Sequence, residues 1–226
     1  MKFRAVIFDL FGTLVDNFSM KEHKRILSDM ASVLGAPNDS FIKLWFNTFN
    51  MRCIGEFANA AENITHICRR LQISPNEEQL KTAEKIRFNF TRSSLAPKEN
   101  AIETLLSIKQ RGHKLGLISD CSSEVPAIWE ETPFSNLFDT RIFSCEVGIK
   151  KPDGEVYRLA CEKMSVAPAR CLYVGDGGSN ELAGAQSAGL SPLLFRDPKE
   201  VDAHRIDAAP WNGRRISGIT EVLDYI

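Results

Sequence analysis

Three short apolar runs in this sequence of 226 residues each lead into a side chain that can do chemistry. Residues 5–8 precede Asp9, residues 115–118 precede Ser119, and residues 171–174 lead through a glycine to Asp176. A carboxylate can attack an electrophile, exchange a proton or bind a cation that prefers oxygen ligands. A serine hydroxyl can donate a hydrogen bond to a bound group. The residue types therefore suit nucleophilic, acid–base or cation-binding chemistry.

The runs themselves predict the elements that position these side chains. Uninterrupted apolar runs of four residues are typical of strands that are buried on both faces of a parallel sheet. Residues 141–144 and 192–195 add two further predicted strands, and helix-period segments at 99–111, 156–164 and 182–188 alternate with the strands. This alternation predicts a doubly wound α/β sheet. Ligands of such sheets bind at the carboxyl ends of the strands, where the three polar side chains fall.

Between residues 17 and 95 the strand-like runs disappear and four amphipathic helical patterns replace them. We therefore predict two domains, an α/β core formed by residues 1–16 and 96–226 and a smaller all-helical cap formed by residues 17–95. An insertion after the first strand would cover the active edge of the sheet and exclude water from it.

Four short motifs occur in a fixed order along the predicted core. They are Asp9 with Thr13, then Ser119, then Lys151 followed by proline, and finally a Gly-Asp pair at Asp176 with a second acid at Glu181. In this combination the sequence resembles the haloacid dehalogenase superfamily. The resemblance spans the whole core, and the ordered set is far more specific than any single motif.

The resemblance implies a magnesium-dependent hydrolase, most simply a phosphatase that acts on a small phosphorylated metabolite. Asp9 would be the covalent nucleophile and form an aspartyl-phosphate. Lys151 would neutralise the charge on Asp9 and on the transferred group, and Ser119 would donate a hydrogen bond to a phosphoryl oxygen.

The same resemblance implies a magnesium site, because Mg²⁺ prefers oxygen ligands and uses one or two carboxylates. The carboxylates of Asp9 and Asp176 and the backbone carbonyl of Phe11 are the predicted ligands. Glu181 is predicted either to orient a water bound to the metal or to contact the metal itself.

Three further residues are predicted to bind the substrate. Gly12 and Thr13 belong to the first motif, and Arg52 lies in an apparent break between two cap helices, from which it could contact an anion. Asp16, Asp120 and Asp153 fall in turn or helix-start contexts, so we interpret them as capping residues and leave them out of the catalytic set.

One position departs from the family pattern. Most phosphatases of the family have an aspartate two positions after the nucleophile, where it acts as general acid and base, whereas this chain has Phe11. An aromatic residue at that position is typical of the haloacid dehalogenases, which need no metal. The sequence therefore leaves two alternatives to the phosphatase, a carbon–halogen hydrolase and a non-catalytic protein that binds phosphorylated ligands.

Composition limits the other function classes. The formal net charge of −1, with 43% hydrophobic and 25% charged residues, is ordinary for a soluble domain and too weak to attract nucleic acid or an anionic membrane. The N-terminus contains no signal peptide or spanning segment, so we expect a cytoplasmic protein. Six scattered cysteines and four scattered histidines predict neither a zinc site nor a catalytic histidine. Monomer and homodimer both remain open.

Overall fold

The computed structural model describes residues 2–17, 19–200 and 209–226. Its centre is a six-stranded parallel sheet with the strand order β3-β2-β1-β4-β5-β6. The chain first builds the sheet on one side of β1 and then returns to the other side, so the order reverses between β1 and β4. The strands are β1 (Ala5–Phe8), β2 (Lys114–Ser119), β3 (Thr140–Phe143), β4 (Cys171–Gly175), β5 (Ser191–Phe195) and β6 (Arg215–Ile216).

Ten α-helices occur in the described residues, together with short 3₁₀ turns. Five of them lie between β1 and β2: α1 (Met20–Leu34), α2 (Asn38–Asn47), α3 (Phe49–Cys53), α4 (Ala60–Arg70) and α5 (Glu77–Ser94). The other five alternate with the strands: α6 (Ala101–Gln110), α7 (Glu124–Ile128), α8 (Ser144–Val147), α9 (Gly154–Lys163) and α10 (Glu181–Ser187). The predicted α/β fold with a parallel sheet is confirmed.

Strand β1 explains why an uninterrupted apolar run marks a central strand. Val6 and Phe8 belong to the hydrophobic cluster on one face of the sheet, whereas Ala5 and Ile7 belong to the cluster on the other face. Because successive side chains of a strand point to opposite faces, every residue must be apolar when both faces are covered. All four residues are fully buried.

The helices between β1 and β2 have a hydrophobic cluster of their own, which includes Leu27, Trp45 and Ile64. Their ends follow standard capping rules. The Ser19 side chain accepts a hydrogen bond from the backbone of Glu22 at the start of α1. Asn76 starts α5 with a capping box. The division into a core and a cap at residues 17 and 95 stays a prediction. Among the described residues, no helix combines the length and the apolar composition needed to cross a bilayer.

Three local elements differ from the sequence prediction. Strand β6 and helix α3 were not predicted, because two and five residues are too few to show a hydrophobic period. The predicted strand at 141–144 ends at Phe143, and Ser144 begins α8 instead.

Candidate active site

The carboxyl ends of three neighbouring strands place the first site residues. Asp9 follows β1, Ser119 is the last residue of β2, and Asp176 follows β4. Asp9 and Asp176 flank the position where the strand order reverses, which is the usual ligand crevice of such a sheet. All three side chains are buried.

Lys151 joins the carboxylates of two different motifs. Its Nζ atom donates to Asp9 Oδ1 at 2.5 Å and to Glu181 Oε2 at 2.6 Å. Burial disfavours the charged amine, but the negative charges of Asp9 and Glu181 outweigh burial and hold the pKa of Lys151 well above its usual range. Lys151 is therefore a fixed cation between two carboxylates.

Glu181 is fully buried and uses both of its oxygens. Oε2 also accepts a hydrogen bond from Tyr173 Oη at 2.7 Å, and Oε1 accepts one from the Gly177 backbone at 2.8 Å. A Cβ at Gly175 would overlap Oε1, so the carboxylate needs a glycine there. Burial, followed by the negative charge of Asp9, raises the pKa of Glu181 from 4.5 to about 8. Lys151, Tyr173 and the Gly177 backbone thus fix the Glu181 carboxylate in one position. Its contact with Lys151 is the role that the geometry supports best.

The acidic side chains form a compact group with excess negative charge. Oxygens of Asp9, Asp176 and Glu181 lie within 4.8 Å of one another. Burial raises the pKa of Asp9 from 3.8 to about 6; Lys151 opposes this shift and Asp176 adds to it. Together with Lys151, the three carboxylates carry two negative charges when all are ionised, and one when Glu181 is protonated, as its raised pKa favours at neutral pH. A divalent cation would offset this charge. The all-oxygen donor set suits Mg²⁺.

The turn after β1 supports Asp9 and Asp176 through short local contacts. Thr13 Oγ1 donates to Asp9 Oδ2 at 3.0 Å, and Asn17 Nδ2 donates to Asp176 Oδ2 at 2.9 Å. Gly12 has φ +82°, and an added Cβ would overlap both Asn17 and Asp176. Thr13 is fully buried, and the cavity lining includes neither Thr13 nor Gly12, so both residues support the carboxylates from outside the cavity. The role of Asn17 was not predicted from the sequence.

Two buried oxygens near Asp9 have no hydrogen-bond partner among the described residues. One is Ser119 Oγ and the other is Asp120 Oδ2. An unpaired buried hydroxyl is costly, so Ser119 has a hydrogen bond left to donate, although Ser119 is not among the residues that line the cavity. The capping interpretation of Asp120 was wrong: Asp120 Oδ1 accepts from the Lys151 backbone at 3.0 Å, and the residue lines the cavity above Asp9. Asp153, by contrast, caps α9 as predicted.

A cavity of about 440 Å³ lies above Asp9, which is the size of a small-molecule site. Its floor includes Asp9, Phe11, Lys151 and Asp176. Its wall is formed by side chains from the helices between β1 and β2, including Phe46, Asn47, Phe49, Asn50, Arg52 and Arg87. The cavity is therefore lined both by the predicted nucleophile and by the predicted cap.

Arg52 lines this cavity, but it does not lie in a loop as its sequence context indicated. It lies in α3 with 5% of its surface exposed, and its Nη1 donates to the Trp45 carbonyl at 2.6 Å and to Thr48 Oγ1 at 2.7 Å. Arg87, which the sequence analysis missed, lies beside it and forms a buried ion pair with Glu124 at 2.6 Å. In the sequence, Arg87 is one of several charged residues within the amphipathic pattern of α5. An exposed arginine would look the same, so its burial could not be predicted.

His23 is also buried. Its ring lies 5.3 Å from the rings of both Phe46 and Phe90. Burial, followed by the positive charges of Arg87 and Arg52, lowers the pKa of His23 from 6.5 to about 3. The imidazole is therefore neutral in the folded chain at neutral pH.

The depressed pKa of His23 predicts an acid-dependent loss of stability. Below pH 6.5 His23 becomes protonated in the unfolded chain, whereas in the folded chain it stays neutral down to about pH 3. Protonation of His23 therefore favours the unfolded state between pH 6.5 and pH 3. From this group alone, the free energy of unfolding should fall by about 2 kcal/mol between pH 7 and pH 5, with a slope that approaches about 1.4 kcal/mol per pH unit at the acid end of this range. Urea unfolding of the wild type and of His23→Gln from pH 7 to pH 5 measures it. Identical pH slopes for both proteins would contradict the assignment.

Comparison with known proteins gives consistent similarities. The family model for haloacid dehalogenase-like hydrolases matches residues 3–189. A glyceraldehyde 3-phosphate phosphatase of Pyrococcus furiosus is 25% identical, with 99% of this chain and 94% of that protein covered. An (S)-2-haloacid dehalogenase of Burkholderia cepacia is 23% identical, with 84% and 81% covered. A Bacteroides thetaiotaomicron enzyme of the same family, solved in complex with magnesium and inorganic phosphate, has a TM-score of 0.67 and 16% identity, with 88% and 97% covered.

Proposed function

We propose that this chain, which belongs to the haloacid dehalogenase-like hydrolases, is a magnesium-dependent phosphatase with Asp9 as its nucleophile. The observation that carries the proposal is the buried group of Asp9, Asp176 and Glu181, whose charge Lys151 balances only in part. Such a group is costly unless a cation joins it. Relatives that are named phosphatases support the same reaction class.

The proposed reaction has two displacements at phosphorus. A carboxylate oxygen of Asp9 forms a bond to phosphorus while the bond to the substrate oxygen breaks, and an aspartyl-phosphate results. Water then attacks the phosphorus, which releases inorganic phosphate and restores the carboxylate. Lys151 offsets the charge that accumulates beside Asp9, and the Ser119 hydroxyl donates to a phosphoryl oxygen.

Asp9, Asp176 and the Phe11 carbonyl are the proposed holders of Mg²⁺, with Glu181 placed to hold Lys151 beside them. When bound, the ion neutralises phosphoryl oxygens and reduces their repulsion of the attacking carboxylate. Residues 17–95 are proposed to act as a cap over this site, because their side chains form the cavity wall opposite Asp9. The substrate is proposed to be a small phosphorylated molecule, since the cavity measures about 440 Å³.

Phe11 limits the chemistry that this site can do. A positioned general acid contributes about 10²–10⁴-fold to proton transfer, and a phenylalanine side chain cannot supply one. The enzyme should therefore favour substrates whose leaving oxygen needs no proton, such as aryl phosphates, over alkyl phosphates.

A second candidate, carbon–halogen hydrolysis, is favoured by Phe11 and by similarity to the Burkholderia cepacia dehalogenase. The excess negative charge beside Asp9 argues against it, because displacement of a halide by Asp9 has no use for the cation that this group requires. The phosphatase is therefore the better-supported function.

Two assays on one purified sample distinguish these functions. We expect phosphate release from p-nitrophenyl phosphate that requires Mg²⁺ and stops on addition of a chelator. If the sample instead releases halide from a 2-haloacid, and the chelator does not affect this release, the protein is a dehalogenase and the phosphatase proposal is wrong. Failure of both reactions, with phosphate still bound, would favour the non-catalytic alternative.

A further inference from the structure

Two guanidinium groups, those of Arg52 and Arg87, line the cavity above Asp9. The Cζ atoms of Arg52 and Arg87 lie 4.6 Å and 5.2 Å from the centre of the Trp45 ring. Each arginine is only 5% exposed. Burial, followed by the positive charge of Arg87, lowers the pKa of Arg52 to about 10, so Arg52 stays charged at neutral pH.

The charges around this pair do not cancel. Arg87 is matched by Glu124, whose carboxylate is 1% exposed. Among the described residues no carboxylate forms an ion pair with Arg52, and the neighbouring His23 ring carries no charge at neutral pH. Asp120 also lines the cavity, but it forms no ion pair with Arg52, and its hydrogen bond is with the Lys151 backbone. Two guanidiniums and one carboxylate leave one buried positive charge, which is costly without an anion.

Arg52 also keeps donors that can face an anion. Its hydrogen bonds to described residues use Nη1 alone, with the Trp45 carbonyl and Thr48 Oγ1 as acceptors. The N–H groups on Nε and Nη2 therefore remain, and together they form the planar fork that matches a carboxylate or a phosphate.

We propose that Arg52 binds a second anionic group of the substrate, so that the enzyme acts on phosphorylated molecules that carry a carboxylate or a further phosphate. This inference rests on the proposed function, because it places the transferred phosphoryl group at Asp9 and the second anion at the opposite wall of one cavity. Arg87 keeps its own partner and raises the positive potential around the second anion.

Three substrates with the same short carbon skeleton test the proposal: phosphoglycolate, ethylene bisphosphate and ethyl phosphate. We expect kcat/KM to be at least about 10-fold higher for one of the two charged tails than for ethyl phosphate. The preferred tail identifies the anion as carboxylate or phosphate. Arg52→Met should remove this preference mainly through KM, so that kcat/KM falls much more for the preferred charged tail than for ethyl phosphate. The exposed Arg69→Met is the matched control and should retain the preference.

Binding measured without turnover keeps this inference separate from the proposed function. Calorimetry on Asp9→Asn should give tighter binding of the preferred charged ligand than of ethyl phosphate, and adding Arg52→Met should abolish the difference. Equal affinities, or an equal loss for all three ligands on removal of Arg52, would overturn the second-anion site. Failure to hydrolyse p-nitrophenyl phosphate, with the binding preference intact, would instead overturn only the phosphatase.

Discussion

Replacing Asp9 by asparagine should lower Mg²⁺-dependent phosphate release by at least about 10⁴-fold, because an amide cannot form the aspartyl-phosphate. The fold should survive, since Lys151 keeps its contact with Glu181 and the group of buried carboxylates loses one negative charge. Release of p-nitrophenol under saturating substrate measures the loss. Thermal unfolding recorded on the same sample tests whether the fold remains.

The exposed Asp29→Asn is a matched control for the loss of a carboxylate, because its ion pair with Arg25 lies on the surface and contributes little. Rapid acid quenching during turnover adds a second measurement: wild type should carry a covalent phosphoryl group, and Asp9→Asn should not. An Asp9→Asn enzyme that keeps more than about a tenth of the activity would exclude Asp9 as the nucleophile.

The fold was predictable where both faces of an element are covered by other elements. The central strands β1, β2 and β4 contribute to both hydrophobic clusters, so they are apolar without interruption and are visible in the sequence. The five-residue helix α3 has too few residues to show a period, and for that reason Arg52 was predicted to lie in a break between helices.

The candidate site was predictable to the extent that it follows strand ends. Asp9, Ser119 and Asp176 come directly at or after buried strands, and the topology brings those strand ends together. The residues that the sequence analysis missed depend on contacts between distant segments. Asn17 reaches Asp176 across 159 positions, and Arg87 reaches Glu124 across 37. No local pattern distinguishes an arginine that will be buried by such a partner from one that faces solvent.

Replacing Asp176 by asparagine should affect activity and Mg²⁺-dependent stability in different ways. The metal-free variant should be as stable as the wild type or more stable, because Asp176 is one of the negative charges that raise the pKa of Asp9 and of Glu181. An asparagine can accept the hydrogen bond from Asn17 or the one from the Gly178 backbone but not both, and this loss of about 1 kcal/mol offsets part of the gain. Mg²⁺ at 100 times its dissociation constant should stabilise the wild type by about 2.7 kcal/mol, or about 5–10 °C in Tm, and the variant by almost nothing.

Phosphate release by Asp176→Asn should fall by at least about 10³-fold, since the remaining carboxylates would hold the ion poorly. The exposed Asp224→Asn should keep both the activity and the Mg²⁺-dependent rise in Tm. These paired readouts separate a metal ligand from a residue that supports the fold, because loss of a structural residue would lower the Tm of the metal-free protein. An Asp176→Asn protein that still gains stability with Mg²⁺ would place the ion elsewhere, and the charge argument for a magnesium-dependent phosphatase would then fail.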